Sequence, residues 1–239
     1  MKGIIIIFKW FASVTLLAVL IIFTNTRQLK QKINLKHIKI NNSTDNFVNK
    51  KIVWNYLKAR SVIIDSVLRT GFNQYQLEDI LEQHNEIKEV EVFMNQKGDI
   101  NILIEQKQAI VRVKSDTEDY YLDEFGKVMN LSNNYTPRLV VATGDISAKN
   151  HSGLHKFITE INGSEFWKSQ ITQIHFEKNN ILLIPRVGSQ RINIGNFENI
   201  SEKLQNLYRF YKVAMPVKGW QTYSDINLKF DNQIVCVKN

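Results

Sequence analysis

The chain has 239 residues, 44% hydrophobic and 23% charged, with 10 Gly and 3 Pro. That is ordinary globular composition, and it excludes collagen-like, low-complexity and largely disordered chains. The single cysteine, Cys236, excludes a disulfide framework and a cysteine-based zinc cluster. The formal charge of +8 is unevenly spread: residues 1–60 carry 11 Lys/Arg against one acid, Asp45, whereas residues 61–239 carry 20 against 22 acids. A nucleic-acid-binding domain gathers its basic groups on a folded face. Here they cluster beside an N-terminal apolar segment, as a solvated juxtamembrane stretch or a patch for anionic lipid.

After a tail of residues 1–3, Ile4 to Phe23 form an apolar run whose only charge is Lys9. Twenty helical residues span about 30 Å, the hydrocarbon thickness of a bilayer. Fourteen of them are Ile, Leu, Val or Phe. Together these contribute at most about −4 to −8 kcal/mol of insertion energy, against no more than about +3 for Lys9, which lies near one end and can snorkel. No A-x-A-like site follows Phe23, so the segment reads as an uncleaved anchor rather than a signal peptide. Lys2 and Lys9 precede or enter the span, while Arg27, Lys30, Lys32, Lys36 and Lys39 follow it. The positive-inside rule taken literally would leave the large C-terminal portion in the cytoplasm, although long domains translocate despite their charge.

Residues 24–34 read as a polar linker. Leu35 to Ile40 alternates as a strand, Asn49 to Ala59 carries a helical stripe of Ile52, Val53 and Tyr56, and Gln76 to Gln83 is a second, shorter helix. Lys88–Met94 and Asp99–Glu105 alternate around Asn95-Gln96-Lys97-Gly98 and predict a hairpin. Short strands follow at Ile110–Val113, Tyr120–Leu122, Lys127–Met129 and Leu139–Ala142, then a helix over Gly153–Ile161. Ile171–Phe176, Ile181–Pro185 and Arg191–Ile194 read as a meander. Ile200, Leu204, Leu207 and Tyr211 mark a longer helix ending before Pro216, and the chain closes on strands Ile226–Phe230 and Gln233–Lys238 about Asp231-Asn232.

The residues give no positive reason to expect catalysis. His151 and His155 have helical ligand spacing, but the segment lacks the Glu that a zincin uses as base, and Gly153 weakens the helix. There is no G-x-S-x-G, Walker or dinucleotide fingerprint. Cys236, three residues from the end, reads as a core or edge-strand residue, and the acids from Asp116 to Glu124 read as a solvated loop. The aromatic residues Trp54, Trp167, Trp220, Tyr208, Phe210, Tyr211 and Tyr223 fit either core packing or anchors at a protein interface.

Several segments resemble the FtsQ/DivIB family of bitopic bacterial cell-division proteins. They are Leu81-Glu82-Gln83-His84-Asn85-Glu86-Ile87-Lys88-Glu89-Val90-Glu91-Val92, the run Ile102 to Val113, Tyr120-Tyr121-Leu122-Asp123-Glu124-Phe125-Gly126, and the stretch from Gly219-Trp220 through Tyr223 and Ile226-Asn227-Leu228 to Gln233-Ile234-Val235-Cys236. Their order along the chain carries the likeness more than any single one, and Ala109 stands where the family commonly has Pro. The resemblance implies an α+β chain: cytoplasmic tail 1–3, transmembrane anchor 4–23, linker 24–34, a β-α-α-β-β POTRA domain over 35–106, and a β-rich domain with a few helices over 107–239.

The resemblance further implies a non-enzymatic divisome scaffold without cofactors, in the inner membrane at the septum with its bulk in the periplasm. It implies FtsB/DivIC-type and FtsL-type coiled-coil partners, and a partner segment that adds a strand to the last strand of the chain, supporting recruitment of septal peptidoglycan synthesis. The implied contact residues are Gln233, Ile234, Val235, Cys236, Val237 and Lys238, with Trp220, Tyr223, Tyr208 and Tyr211 beside them. Two other readings are a POTRA protein of outer-membrane assembly or secretion, which requires a lipid-facing barrel, and a membrane-tethered periplasmic enzyme.

Overall fold

The computed structural model describes residues 2–41, 46–62, 67–178, 180–230 and 233–239. The chain divides into two compact units, residues 1–106 and 107–239.

The N-terminal unit opens with helix α1, Lys2–Leu29, whose stretch Phe8–Arg27 is long and apolar enough to cross a membrane and is unburied within the protein. The helix runs on through Leu29, where the sequence predicts a linker. Thr24 and Thr26 turn their hydroxyls back onto the carbonyls of Leu20, Ile21 and Ile22, so these polar residues satisfy themselves without breaking the helix. Strand β1 (Asn34–Asn41) follows, then α2 (Lys50–Ala59), a single 3-10 turn (Arg69–Gly71), α3 (Gln74–Glu82), β2 (Ile87–Met94) and β3 (Asp99–Gln106).

Both short helices start on asparagine caps: Asn49 Oδ1 accepts from Ile52 N at 3.0 Å, and Asn73 Oδ1 from Tyr75 N at 3.1 Å. The sheet order is β1-β3-β2, with β1 parallel and β2 antiparallel to the central β3. Ile100, Ile102 and Ile104 of β3 and Val90 and Val92 of β2 point inward, and Val53, Leu57, Leu77 and Leu81 of the two helices are buried with them. Gly98 closes the hairpin at φ +81, a conformation that costs other residues strain.

The C-terminal unit is an open nine-stranded sheet in the order β12-β11-β10-β9-β8-β7-β4-β5-β6. Its strands are β4 (Ala109–Lys114), β5 (Asp119–Asp123), β6 (Val128–Asn130), β7 (Val140–Gly144), β8 (Ile171–Glu177), β9 (Asn180–Pro185), β10 (Arg191–Asn193), β11 (Tyr223–Asn227) and β12 (Val235–Lys238). Helices α4 (Ala148–Asn162) and α5 (Glu165–Gln170) connect β7 to β8, and α6 (Ile200–Val213) and α7 (Met215–Lys218) connect β10 to β11. Both strand pairs are parallel, which a helical crossover allows and a tight turn forbids.

The sheet's inner residues Val111, Val113, Ala142, Ile174, Phe176, Leu183, Ile192 and Ile226 form one core with Leu154, Phe157, Ile158 and Ile161 of α4 and Leu204 and Leu207 of α6. The other face is mixed: Tyr121 and Met129 are buried on it, while Arg112 makes a two-pronged ion pair with Asp119 at 2.6 and 2.8 Å, and Thr143 Oγ1 bonds both His175 Nδ1 and Gln173 at 2.9 Å.

The two helically spaced histidines serve packing. His151 Nε2 lies 2.7 Å from the Tyr120 hydroxyl, and His155 Nε2 donates to the Glu124 carbonyl at 2.9 Å, so both fasten α4 to the β5 hairpin. Among the described residues no cluster of His, Cys, Asp and Glu could hold a metal ion. Burial lowers the pKa of His151, opposed by the nearby Glu118 charge. A folded-state pKa below the unfolded value means that the unfolded chain binds the proton more readily. This contribution to stability is therefore present above the unfolded histidine pKa of about 6.5 and is lost as pH falls through the lower folded value. Thermal unfolding followed across this range should show a pH-dependent loss on the acid side that His151→Gln abolishes.

Candidate partner-binding edge

Strands β11 and β12 form one end of the large sheet. Helix α7 stops at Gly219 (φ +88), whose N–H donates to the Met215 carbonyl at 2.9 Å. The chain reverses through Trp220-Gln221-Thr222, helped by a bond from the Thr222 hydroxyl to the Lys218 carbonyl, and enters β11. Strand β11 runs parallel to β10, with Arg191↔Asp225, Ile192↔Ile226 and Asn193↔Asn227 opposed. The sequence predicts this strand over Ile226–Phe230. It ends earlier because Asn227 Oδ1 accepts from Lys229 N at 3.0 Å, which turns the backbone out of the ladder. The predicted turn at Asp231-Asn232 lies outside the described residues.

Strand β12 returns antiparallel, pairing Asn227↔Val235, Ile226↔Cys236, Asp225↔Val237 and Tyr223↔Lys238. Among the described residues its neighbour in the sheet order is β11 alone, so its second side is an edge. Asn239 N donates to the Thr222 carbonyl at 3.1 Å. Backbone direction alternates along a strand, so Val237 and Val235 aim their N–H and C=O groups at β11, and Lys238 and Cys236 aim theirs outward.

Side chains alternate about the sheet plane. Cys236 and Ile234 pack against the core, and Cys236 ends an inner apolar row that runs from Leu183 through Ile192 and Ile226. Burial pushes the Cys236 thiol up from its ordinary pKa, which disfavours the thiolate. Val235 and Val237 face the other way and are 42% and 56% exposed. Gln233 and Lys238 are exposed as well.

The flanking aromatic residues separate by depth. Tyr211 is 3% exposed; its ring lies 5.1 Å from that of Trp220 and 6.1 Å from that of Trp167, and burial raises its hydroxyl pKa. Tyr211 is therefore a core residue that supports Trp220 from below. Trp220, Tyr223 and Tyr208 are half-buried. The Tyr223 ring lies tilted 5.8 Å from that of Phe210, a residue left out of the predicted contact set. Tyr208 lies beside Phe166 at 4.9 Å, with the Lys212 ammonium 4.7 Å above its ring, and lines a groove between α5 and α6 with Phe166, Trp167 and Leu204. Asp225 and Asn227, beside Val237 and Val235 on the open face, were also missed. Their strand alternation is the signal that places them there.

The arrangement can extend a sheet: one strand edge, two exposed valines, and an aromatic shoulder. It brings together no nucleophile and base. A family model described as FtsQ/DivIB, C-terminal related, matches residues 108–237, which take in β4 to β11 and β12 as far as Val237. The chain belongs to the FtsQ/DivIB family. Membership in FtsQ/DivIB suggests a role in cell division. Among solved structures, the major extracytoplasmic domain of the trans isomer of the bacterial cell division protein DivIB from Geobacillus stearothermophilus is similar at 12% identity and a TM-score of 0.34. That alignment covers 46% of this chain and 96% of that one. No curated protein matches the chain.

Proposed function

We propose that this FtsQ/DivIB-family chain is a non-enzymatic scaffold of the bacterial division machinery whose edge strand β12 accepts a strand from a bitopic coiled-coil partner of the FtsB/DivIC type, with an FtsL-type protein in the same complex. Helix α1 anchors it in the inner membrane with the N-terminus cytoplasmic. Residues 35–106 act as a POTRA unit that supports recruitment to the septum, and residues 107–239 act as the partner-binding β domain. The complex in turn helps recruit septal peptidoglycan synthesis.

The observation that carries this reading is the position of β12 at the sheet edge, within a chain whose family suggests division. Unpaired backbone on an edge strand is a template for another extended segment: main-chain bonds supply affinity, and neighbouring side chains supply selectivity. Gln233, Ile234, Val235, Cys236, Val237 and Lys238 would form the ladder side, Trp220, Tyr223 and Tyr208 would contact the partner directly, and Tyr211 would hold them in place. The open sheet, with β12 and β6 at its two ends, gives no support to the barrel that an outer-membrane reading needs.

The test is capture from cross-linked membranes. The full-length protein should retain a small bitopic coiled-coil protein, and deletion of 233–239 should abolish that retention while the chain stays in the membrane fraction and still unfolds cooperatively. Full retention by a folded deletion variant would defeat strand addition.

A further inference from the structure

The basic excess of the first quarter of the chain has a definite place in the N-terminal unit. The membrane-length stretch of α1 ends at Arg27, and the helix ends at Leu29. Two residues later the chain is already fastened to the body. Gln31 O accepts from Arg69 N at 3.0 Å, Lys32 bridges Leu68, Ile33 N donates to Val67 O at 2.9 Å, and Asn34 N donates to Gly98 O at 3.1 Å. Ile33 is fully buried. There is no slack: Arg27 to Gln31 covers only about 10 Å, two helical steps and two extended ones. Whatever surrounds Gln31–Ile33 is thus held within roughly a Debye length of the interface where α1 leaves the bilayer.

That surround is basic. Arg27, Lys30, Lys32 and Lys97 are exposed. Arg69 is half-buried; its Nη1 is itself buried and has no hydrogen-bond partner among the described residues, so the rest of the guanidinium is what can face outward. Leu68 beside it is 49% exposed. Among the described residues, the acid next to this rim is Asp99, and it is already paired with Lys36 at 3.2 Å.

We propose that Arg27, Lys30, Lys32, Arg69 and Lys97 form a collar that binds the anionic phospholipid headgroups of the membrane α1 occupies, with Leu68 dipping into the interface. A lipid surface is the occupant because the collar is continuous with the membrane helix and cannot move away from it. The collar fixes the standing orientation of the N-terminal unit on the bilayer, and it gives a use to basic residues that charge counting alone would keep in the cytoplasm. This inference rests on α1 crossing a bilayer, which alkaline carbonate extraction checks separately, and it is independent of strand addition at β12.

The test is amide hydrogen exchange on the full-length protein in nanodiscs of phosphatidylcholine, with and without phosphatidylglycerol. Each basic residue near an anionic surface is worth roughly a fivefold change in population. Exchange at Ile33, Asn34, Leu68 and Arg69 should therefore slow several-fold in the anionic discs, and high salt should reverse the slowing. The combined variant Lys30→Gln, Lys32→Gln, Arg69→Gln should exchange alike in both lipids. Equal rates for the native protein in the two lipids would overturn the proposal, as would slowing that the variant retains. Inorganic phosphate that reproduced the slowing in neutral discs would overturn it in favour of a site for soluble anions. If the variant proves misfolded, with faster exchange throughout β2 and β3, the salt titration of the native protein decides, and salt-insensitive slowing counts against the collar.

Discussion

Lys238→Pro is expected to weaken partner capture roughly tenfold to a hundredfold while leaving the β domain folded, because it removes one outward hydrogen bond and fills its place with a ring. The backbone N–H of Lys238 points away from β11, so no bond inside the protein is lost. Val237→Pro is the contrast. That N–H belongs to the β11 ladder opposite Asp225, and its loss should loosen β12 itself. Titration of the purified partner against full-length protein, with exchange protection at Asp225 and Ile226 as the integrity check, separates the two. Equal affinity for Lys238→Pro and the native chain would show that the partner does not use this edge.

Phe157→Ala should destabilise the C-terminal unit by about 3–5 kcal/mol, the usual cost of truncating a large aromatic residue in a filled core. Phe157 has no exposed surface, and its ring lies 5.5 Å from that of Phe197. Domains carry only about 5–15 kcal/mol in total, so the loss takes a large part of the margin. Urea unfolding followed by tryptophan fluorescence in a Trp10→Phe, Trp54→Phe background, which leaves Trp167 and Trp220, measures it, with Val213→Ala, at a position 73% exposed, as a near-neutral control. Phe157→Ala and Lys238→Pro should both reduce partner capture, but only the first should lower the unfolding midpoint.

Local structure was legible where a stripe had room to repeat. The alternation of Ile100, Ile102 and Ile104 and the spacing of Leu204, Leu207 and Tyr211 identify their elements because each repeats its period against one core. Helix α5 escaped because Glu165-Phe166-Trp167-Lys168-Ser169-Gln170 is too short to show a period; its cap, Ser164, which accepts from Trp167 N, was the available signal. Helix α7 escaped because Pro216 reads as a stop, yet proline is tolerated in a first helical turn, where no backbone donor is needed.

The sheet order lay beyond the sequence. Parallel pairing of β4 with β7 and of β10 with β11 depends on contacts distant along the chain, which no local pattern encodes. At the candidate edge, alternation separates the inward Cys236 from the outward Val235 and Val237. The depth of Tyr211 relative to Trp220 and Tyr223 is a matter of tertiary packing and could not be read in advance.

The outward valines of β12 carry a cost for the cell. Short edge strands usually defend themselves with charge, proline or a bulge, and here Lys238 and a register shift opposite it, between Tyr223 and Asp225, guard only the far end of the strand. An uncovered copy is a template for another copy of itself. Synthesis beyond the supply of whatever caps this strand would favour self-association and clearance by proteolysis, so the amount of this protein in the membrane should follow the amount of its cap.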